Sequence, residues 1–541
     1  MTRRLAVMLL GAALVSPAAA DAGRFAVGVA PGADAETLAA ELSARTGGSA
    51  SVIGPFAVAL SAPTARAVAG VPGITYVERL SAGRRLAFTP SDPFFARQWY
   101  VPAVRGFDAW AQRPTLPGMR VAVIDSGIDG THPEFQGRLA GWRSFVGGSA
   151  LRDTKGHGTF VAGLMAARLD NAERIAGLAF PAQLLVAKVV RSDGVVPLEA
   201  EARAIRWAVD SGARVINLSL GGIRDPLDPG HDSYSALEAD AVAYAVRHGA
   251  VLVASVGNGD QAPEQPWRYA SYPAALPHVL GVSALSRDGS VPIFSNRDLV
   301  YNDIAAPGDE LFSTLPRSLT ALRPTCATQG YSECGPAEYR NPQGTSFAAA
   351  IVSASAALVW TEWPALRAEQ VVGLMERSAV DVTPATGCRR CTVDRDSLTG
   401  WGRLDVTKAI QWGGALPAID RYETNDDAGV RAKPVGRRRS LVASLDYWND
   451  QNDVYAVRVR KGRWLRVGLK GLVAADMNLA IWKPGTRRVD HFRSINQLAK
   501  ESSRPGAKEQ LRYRVRRTGV YYVQVKMSEP GAGSYKLTLR R

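Results

Sequence analysis

GTSFAAAIVSASAALVW, residues 344–360, is the stretch on which the fold turns. After Gly344 and Thr345 the run is small and apolar, and no charged residue interrupts it. Ala348, Ala349, Ala350, Ala354, Ala356 and Ala357 are all strong helix formers. A helix apolar on every face belongs in a core or in a membrane. A span takes about 20 residues, so this shorter run predicts a core helix. Ser346 falls in its first turn, where unpaired backbone N–H groups and the positive dipole end favour a developing anion. That suits a serine nucleophile. It also suits an ordinary N-cap, and the rest of the chain has to decide.

At 541 residues the chain exceeds a single core, and three or four units are expected. Residues 1–20 have a basic start (Arg3, Arg4), an apolar core and Ala18-Ala19-Ala20 at the end, the pattern of a secretory signal peptide cut after Ala20. No later stretch reads as a membrane span, so a secreted, extracellular product is expected. In that compartment the four cysteines predict two disulfides. Nearest-neighbour pairing, Cys326 with Cys334 and Cys388 with Cys391, is the reading adopted, with the crossed pairings left open. No histidine lies near either pair, which disfavours zinc. The formal charge of +15 is uneven: residues 420–541 carry 27 Lys+Arg against 12 Asp+Glu, and the rest is neutral. That asymmetry marks a domain boundary.

Taken in order, RFAVGVA (24–30), a helix over 34–47, FAVALS, a helix at TARAVAGV (64–71) and ITYVERL predict a small α+β domain. From Trp99 to about Gly413 buried-type strands alternate with amphipathic helices. The strands are MRVAVID (119–125), LLVAKVV (184–190), RVINLSL (214–220), AVLVASVG (250–257) and HVLGVSAL (278–285). This α/β pattern predicts a parallel sheet with helices on both faces and functional residues at the carboxyl ends of its strands. After Asp420 short alternating runs between turn residues predict a β-sandwich.

Three stretches then align with the opening helix. VAVIDSGIDGTHPEF sets Asp125 at a strand end, GHGTFVAGLMAA sets His157 before a small-residue helix, and GTSFAAA supplies Ser346. Together they form an acylating serine site with nucleophile, general base and orienting carboxylate. In their order and flanking words these motifs resemble the subtilisin-like serine proteases, the subtilase family. The resemblance implies a subtilisin-like fold and a serine endopeptidase in which Ser346 attacks, His157 shuttles the proton and Asp125 orients the imidazole. It implies Asn258, in ASVGNGD, as the oxyanion donor, and Ser219, Leu220 and Gly221 as the edge that pairs with the substrate backbone. It further implies structural calcium near Glu134 and Asn171, although Glu173 and Arg174 depart from the small residues expected there. No cofactor is needed for the chemistry.

The flanking segments resemble the family's inhibitory propeptide and, in DRYETNDDA and NDQNDVYAVRVRKG, a pre-peptidase C-terminal domain. The expected organisation is a signal peptide (1–20), a propeptide (21–88) that inhibits the enzyme and is removed by self-processing, a catalytic domain (89–414) and a basic β-sandwich (415–541). A monomer acting on polypeptides is expected. No acid stands at Gly259 or Ser271, where the resemblance sets the pocket floor, so a broad or apolar preference is expected. The arginines of LRYRVRR read either as a solvated face or as an anchor for an anionic surface. An inactive peptide-binding scaffold is the alternative function, disfavoured because all four catalytic residues are present. An α/β-hydrolase esterase is set aside because His157 precedes Ser346 and no G-x-S-x-G occurs around it.

Overall fold

The computed structural model describes residues 23–62, 68, 70–80, 87–260, 262–321, 330–417, 420–448, 450–471, 476–489 and 492–541. Residues 1–20 and most of the helix expected at 64–71 lie outside the described residues. Two compact units are formed, Met1–Leu86 and Ala87–Arg541.

The first unit is an antiparallel sheet with one helix against it. Its elements are β1 (Gly23–Val29), α1 (Ala35–Thr46), β2 (Ala50–Gly54), β3 (Ala57–Ala62) and β4 (Ile74–Arg79), in sheet order β2-β3-β1-β4. The Asp34 carboxylate caps α1 by accepting the Thr37 N–H at 2.8 Å, and Gly47, with φ 68°, ends it. Leu38 and Leu42 bury against Phe25, Val27, Val58 and Leu60. Strand β2 is additional to the sequence reading.

The second unit is built on seven parallel strands: β5 (Arg120–Asp125), β6 (Leu139–Ser144), β7 (Gln183–Lys188), β8 (Val215–Leu218), β9 (Val251–Ser255), β10 (Val279–Leu285) and β11 (Ile304–Pro307). Their order is β11-β10-β9-β8-β5-β7-β6. This is the parallel α/β sheet that the alternation of strands and helices predicts. The period-2 alternation of strand side chains divides each strand between two cores. Val121, Val123, Val186, Val253 and Val282 face α2 (His157–Ala166) and α5 (Thr345–Glu362). Ala122, Ile124, Leu185, Ile216 and Leu252 face α3 (Leu198–Asp210) and α4 (Ala236–Arg247).

By length and mean hydropathy of 1.2, α5 could cross a membrane, but its apolar window is 89% buried within the protein. From Phe347 to Thr361 every residue is buried. Truncating a side chain such as Ile351 or Leu358 there would cost about 2–5 kcal/mol. Cys388 and Cys391 are joined in a disulfide. Cys334 is also disulfide-bonded, and Cys326 lies outside the described residues.

From Ser440 onward the same unit carries two antiparallel sheets whose inner faces meet through Tyr455, Val457, Leu465, Leu479, Val523 and Leu537. This β-sandwich packs on the α/β part, with Trp448 against Trp401 at 4.6 Å between ring centroids. On its outer face Arg466 lies opposite both Arg512 and Arg540, and Lys470 opposite both Lys508 and Lys536.

Candidate active site

The chain fills one side of β5 with β7 and β6, then crosses to β8 and continues outward to β11. β5 is therefore the strand where the order reverses, and crevices at carboxyl ends open at such points. Asp125 ends β5, Ser219 follows β8, and Asn258 lies three residues past β9. His157 is the first residue of α2, and Ser346 the second of α5. All lie at one edge of adjacent strands.

The structure brings Asp125 and His157 together. His157 Nδ1 is 2.9 Å from both Asp125 oxygens, and the carboxylate is 3% exposed. The Ser126 N–H also donates to Asp125 Oδ1, at 2.6 Å. Burial would lower the His157 pKa, but the Asp125 charge, its hydrogen bond and the charge of Asp153 outweigh it, so the pKa lies above its ordinary 6.5.

Asp153 escaped the sequence reading. Its buried carboxylate accepts from Ser126 Oγ, the Lys155, Gly156 and Thr159 N–H groups and Thr159 Oγ1, at 2.7–3.0 Å. These bonds satisfy the first turn of α2 and fix the entry to His157. Its signal was an acidic residue shortly before a helix start, as in DTKGHGT. Lys188 Nζ donates to the Ser126 and Arg152 carbonyls at 2.9 and 3.0 Å, tying both loops to β7.

Between Gly344 and Thr361, Ser346 alone is not fully buried. Its hydroxyl donates to the Ser219 carbonyl at 3.2 Å rather than to His157. In return Ser219 Oγ donates to the Ser346 carbonyl at 2.6 Å, and it is held by Asn217, which accepts from Ser353. Phe347, the next residue, packs on the imidazole at 5.6 Å between centroids.

Asn258 Oδ1 accepts the N–H and the hydroxyl of Thr345, both at 2.9 Å. Two donors on that atom settle the amide orientation and turn Nδ2 toward Gly344, 3.6 Å from where a Cβ there would stand. Thr345 also escaped the sequence reading. Beside Ser346 a cavity of about 210 Å³ is lined by Leu220, Gly221, Gly259 and Ser271. Gly221 has to be glycine, because a Cβ would come 2.4 Å from the Tyr272 carbonyl oxygen. Trp267 and Asn296 line the cavity as well, and exposed Asp260 brings an acid to its mouth.

Glu134 and Asn171 are brought together, but not as free oxygen ligands. Glu134 Oε1 accepts from the Arg174 and Ile175 N–H groups and the Tyr331 hydroxyl at 3.0–3.1 Å, and Oε2 accepts from Asn171 Nδ2 at 3.1 Å. Asn171 Oδ1 accepts the Glu173 N–H. The Arg174 guanidinium lies 4.6 Å from the Phe94 centroid. As arranged, this donor-filled pocket does not fit calcium, which needs six to eight free oxygens.

The profile of the Subtilase family matches residues 117–402. Thermitase of Thermoactinomyces vulgaris is 32% identical over 332 residues, covering 60% of this chain and 100% of thermitase. Subtilisin DY of Bacillus licheniformis is 31% identical over 283 residues, covering 52% of this chain and 91% of its own. Among solved structures, sphericase aligns with 26% identity and a TM-score of 0.45, covering 59% of this chain and 100% of that one.

Proposed function

The chain belongs to the subtilase family of serine-type endopeptidases, and from that premise we propose that Asp125, His157 and Ser346 hydrolyse peptide bonds through an acyl-enzyme. The observation that carries this reading is the hydrogen bond that His157 Nδ1 donates to buried Asp125, at the edge that also presents Ser346. Ser346 Oγ leaves the Ser219 carbonyl, gives its proton to His157 Nε2 and attacks the peptide carbonyl. Asp125 accepts the Nδ1–H, fixes the tautomer and stabilises the imidazolium. Asn258 Nδ2 and the Ser346 N–H donate to the oxyanion. His157 then protonates the leaving amine and activates the water that releases the acyl group. Ser219, Leu220 and Gly221 pair with the substrate main chain, giving affinity without sequence choice.

In the same reading the protein is a secreted pre-pro-enzyme. Residues 1–20 direct export, and residues 21–88 inhibit the enzyme until its own Ser346 removes them. The like-charged pairs on the outer sandwich sheet favour an anionic surface as a partner, because directly opposed cations gain when a polyanion lies across them.

The test is Ser346→Ala. Casein hydrolysis and fluorophosphonate labelling are lost, and the precursor stays uncut. Normal maturation of the purified variant, with no other protease present, would overturn both the serine assignment and self-processing.

A further inference from the structure

We propose that the outer sheet of the β-sandwich docks on a bilayer of anionic phospholipid, an inference that rests on the anionic-surface reading and names its partner. In this sheet the strand Trp464–Gly471 lies between Lys508–Arg514 and Ala532–Arg540. Their register builds two rows of cations across the strands. Arg512, Arg466 and Arg540 form one, and Lys508, Lys470 and Lys536 the other. Neighbouring strands lie about 4.8 Å apart and four residues span about 13 Å, so six charges share a patch of about 10 by 13 Å. All six side chains are exposed. Gln510, Gly468 and Thr538 lie between the rows, and no outward position of these three strands carries an acid. Glu509 points inward, where it accepts from Ser502 and Arg504.

Pairing sets this face apart from the rest of the surface. Exposed arginines on the catalytic part sit beside carboxylates, as Arg203 does with Glu199, Arg206 with Asp210 and Arg268 with Glu264. Among the described residues the ion-paired arginines of the sandwich are Arg431 and Arg488, and none of the six row cations has a carboxylate partner. Like charges directly opposite one another on a sheet oppose folding. Four such pairs stand side by side here. Phosphates lying across the rows relieve that repulsion, and guanidinium groups grip phosphate through two parallel N–H donors.

The form of the array selects a bilayer over a nucleic acid. Reading a duplex takes a helix or ribbon that rises into a groove. Here the centre of the face is Gly468, and the charges spread in two dimensions. Single strands need open aromatic platforms. Trp464, the aromatic residue among these outward positions, is 39% exposed, and the Arg512 guanidinium covers its ring at 4.0 Å from the centroid. A tryptophan beside arginines suits a headgroup layer, where the ring takes the interface and the guanidinium takes phosphate. Residues 1–419 carry no net charge, so the attraction comes from the sandwich. Docking concentrates the protease beside polypeptides displayed on a membrane.

The experiment takes the full chain carrying Ser346→Ala, to prevent autolysis, and measures co-sedimentation with vesicles of phosphatidylcholine, alone or with phosphatidylglycerol added. The chain binds the phosphatidylglycerol vesicles and not the neutral ones, and binding falls steeply as salt rises through about 0.1 M. Adding Arg466→Gln and Lys470→Gln, the centre of each row, weakens it about thirtyfold, at roughly fivefold per charge. The unfolding midpoint stays equal or rises, because repulsion is relieved. Lys508→Gln with Lys536→Gln loses as much and carries the test if the first pair fails to fold. Arg203→Gln with Arg206→Gln removes the same charge from the catalytic part and leaves vesicle binding unchanged. Equal losses in the catalytic and sandwich variants would assign binding to net charge and overturn the face. Duplex DNA is the second probe. A chain that binds it through Arg466 and Lys470 but ignores both vesicles overturns the lipid partner and leaves the anionic-surface reading standing. No binding to either probe at low salt overturns both.

Discussion

Replacing Asn258 separates oxyanion stabilisation from proton transfer, because its side chain reaches the nucleophile helix through Thr345 and not through His157. Asn258 does two jobs with two atoms. In the proposed mechanism Nδ2 donates to the oxyanion, and its removal should lower kcat by about 10²–10³, or roughly 2.7–4 kcal/mol of transition-state stabilisation. Oδ1 satisfies the Thr345 N–H and hydroxyl. Thr345 is fully buried, so stranding its N–H costs about 1–3 kcal/mol of folding stability. Asn258→Ala should therefore lose both activity and stability. Asn258→Asp keeps an acceptor for Thr345 but has no donor, so it should lose at least as much kcat while nearly keeping the unfolding midpoint. Thr345→Val retains Nδ2 with one anchor fewer and should fall tenfold or less. Kinetics on a chromogenic peptide and urea unfolding measure the two effects separately. Asn258→Asp retaining kcat within tenfold of the parent would refute the assignment.

Three further outcomes follow from charges and donors around the site and beyond it. Activity should rise with pH as His157 loses its proton, with a midpoint above 6.5 because Asp125 and Asp153 raise its pKa; Asp153→Asn should move that limb to lower pH, and a parent midpoint below 6 would mean that burial dominates instead. Glu134→Ala strands four donors and should destabilise the fold by about 3 kcal/mol or more, as read by denaturant midpoint; a midpoint equal to the parent's would remove those bonds as a source of stability. Glu201 and Glu238 lie against each other between α3 and α4, and burial, together with repulsion at Glu201, raises both, Glu238 to about 7. The folded state then holds more protons than the unfolded chain above pH 4.5, so stability falls as pH rises through 7. Glu238→Gln should flatten that decline in thermal unfolding, and an equal decline in the variant would remove the pair as its source.

Legibility in the sequence followed the number of buried faces. Strands β9 and β10 are buried at every position, and their continuous apolar runs stood out. The strands that went unread are the two edges of the sheet. In β6 (LAGWRS) no residue is fully buried, and β11 (IAAP) is four residues ending in proline. The edge strand β6 lacks the second neighbour whose packing would demand an apolar pattern, whereas β11 is buried at every position and went unread because it is too short to show a period. The same logic divides the site. Asp125, His157, Ser346 and Asn258 stand at ends of strongly patterned elements. Asp153 and Thr345 act on backbone N–H groups and on an amide, as capping residues do in any helix, so their only signal is that of an ordinary cap. Glu134 and the 420–453 acids show where residue type stops being informative. As letters, all are oxygen ligands. Folding surrounds Glu134 with two backbone N–H groups, an amide and the hydroxyl of Tyr331, 197 residues away. It surrounds Glu423 and Asp450 with other acids and leaves oxygens unmatched. Whether a buried carboxylate is matched depends on which donors reach it, and for Glu134 those donors arrive from distant parts of the chain.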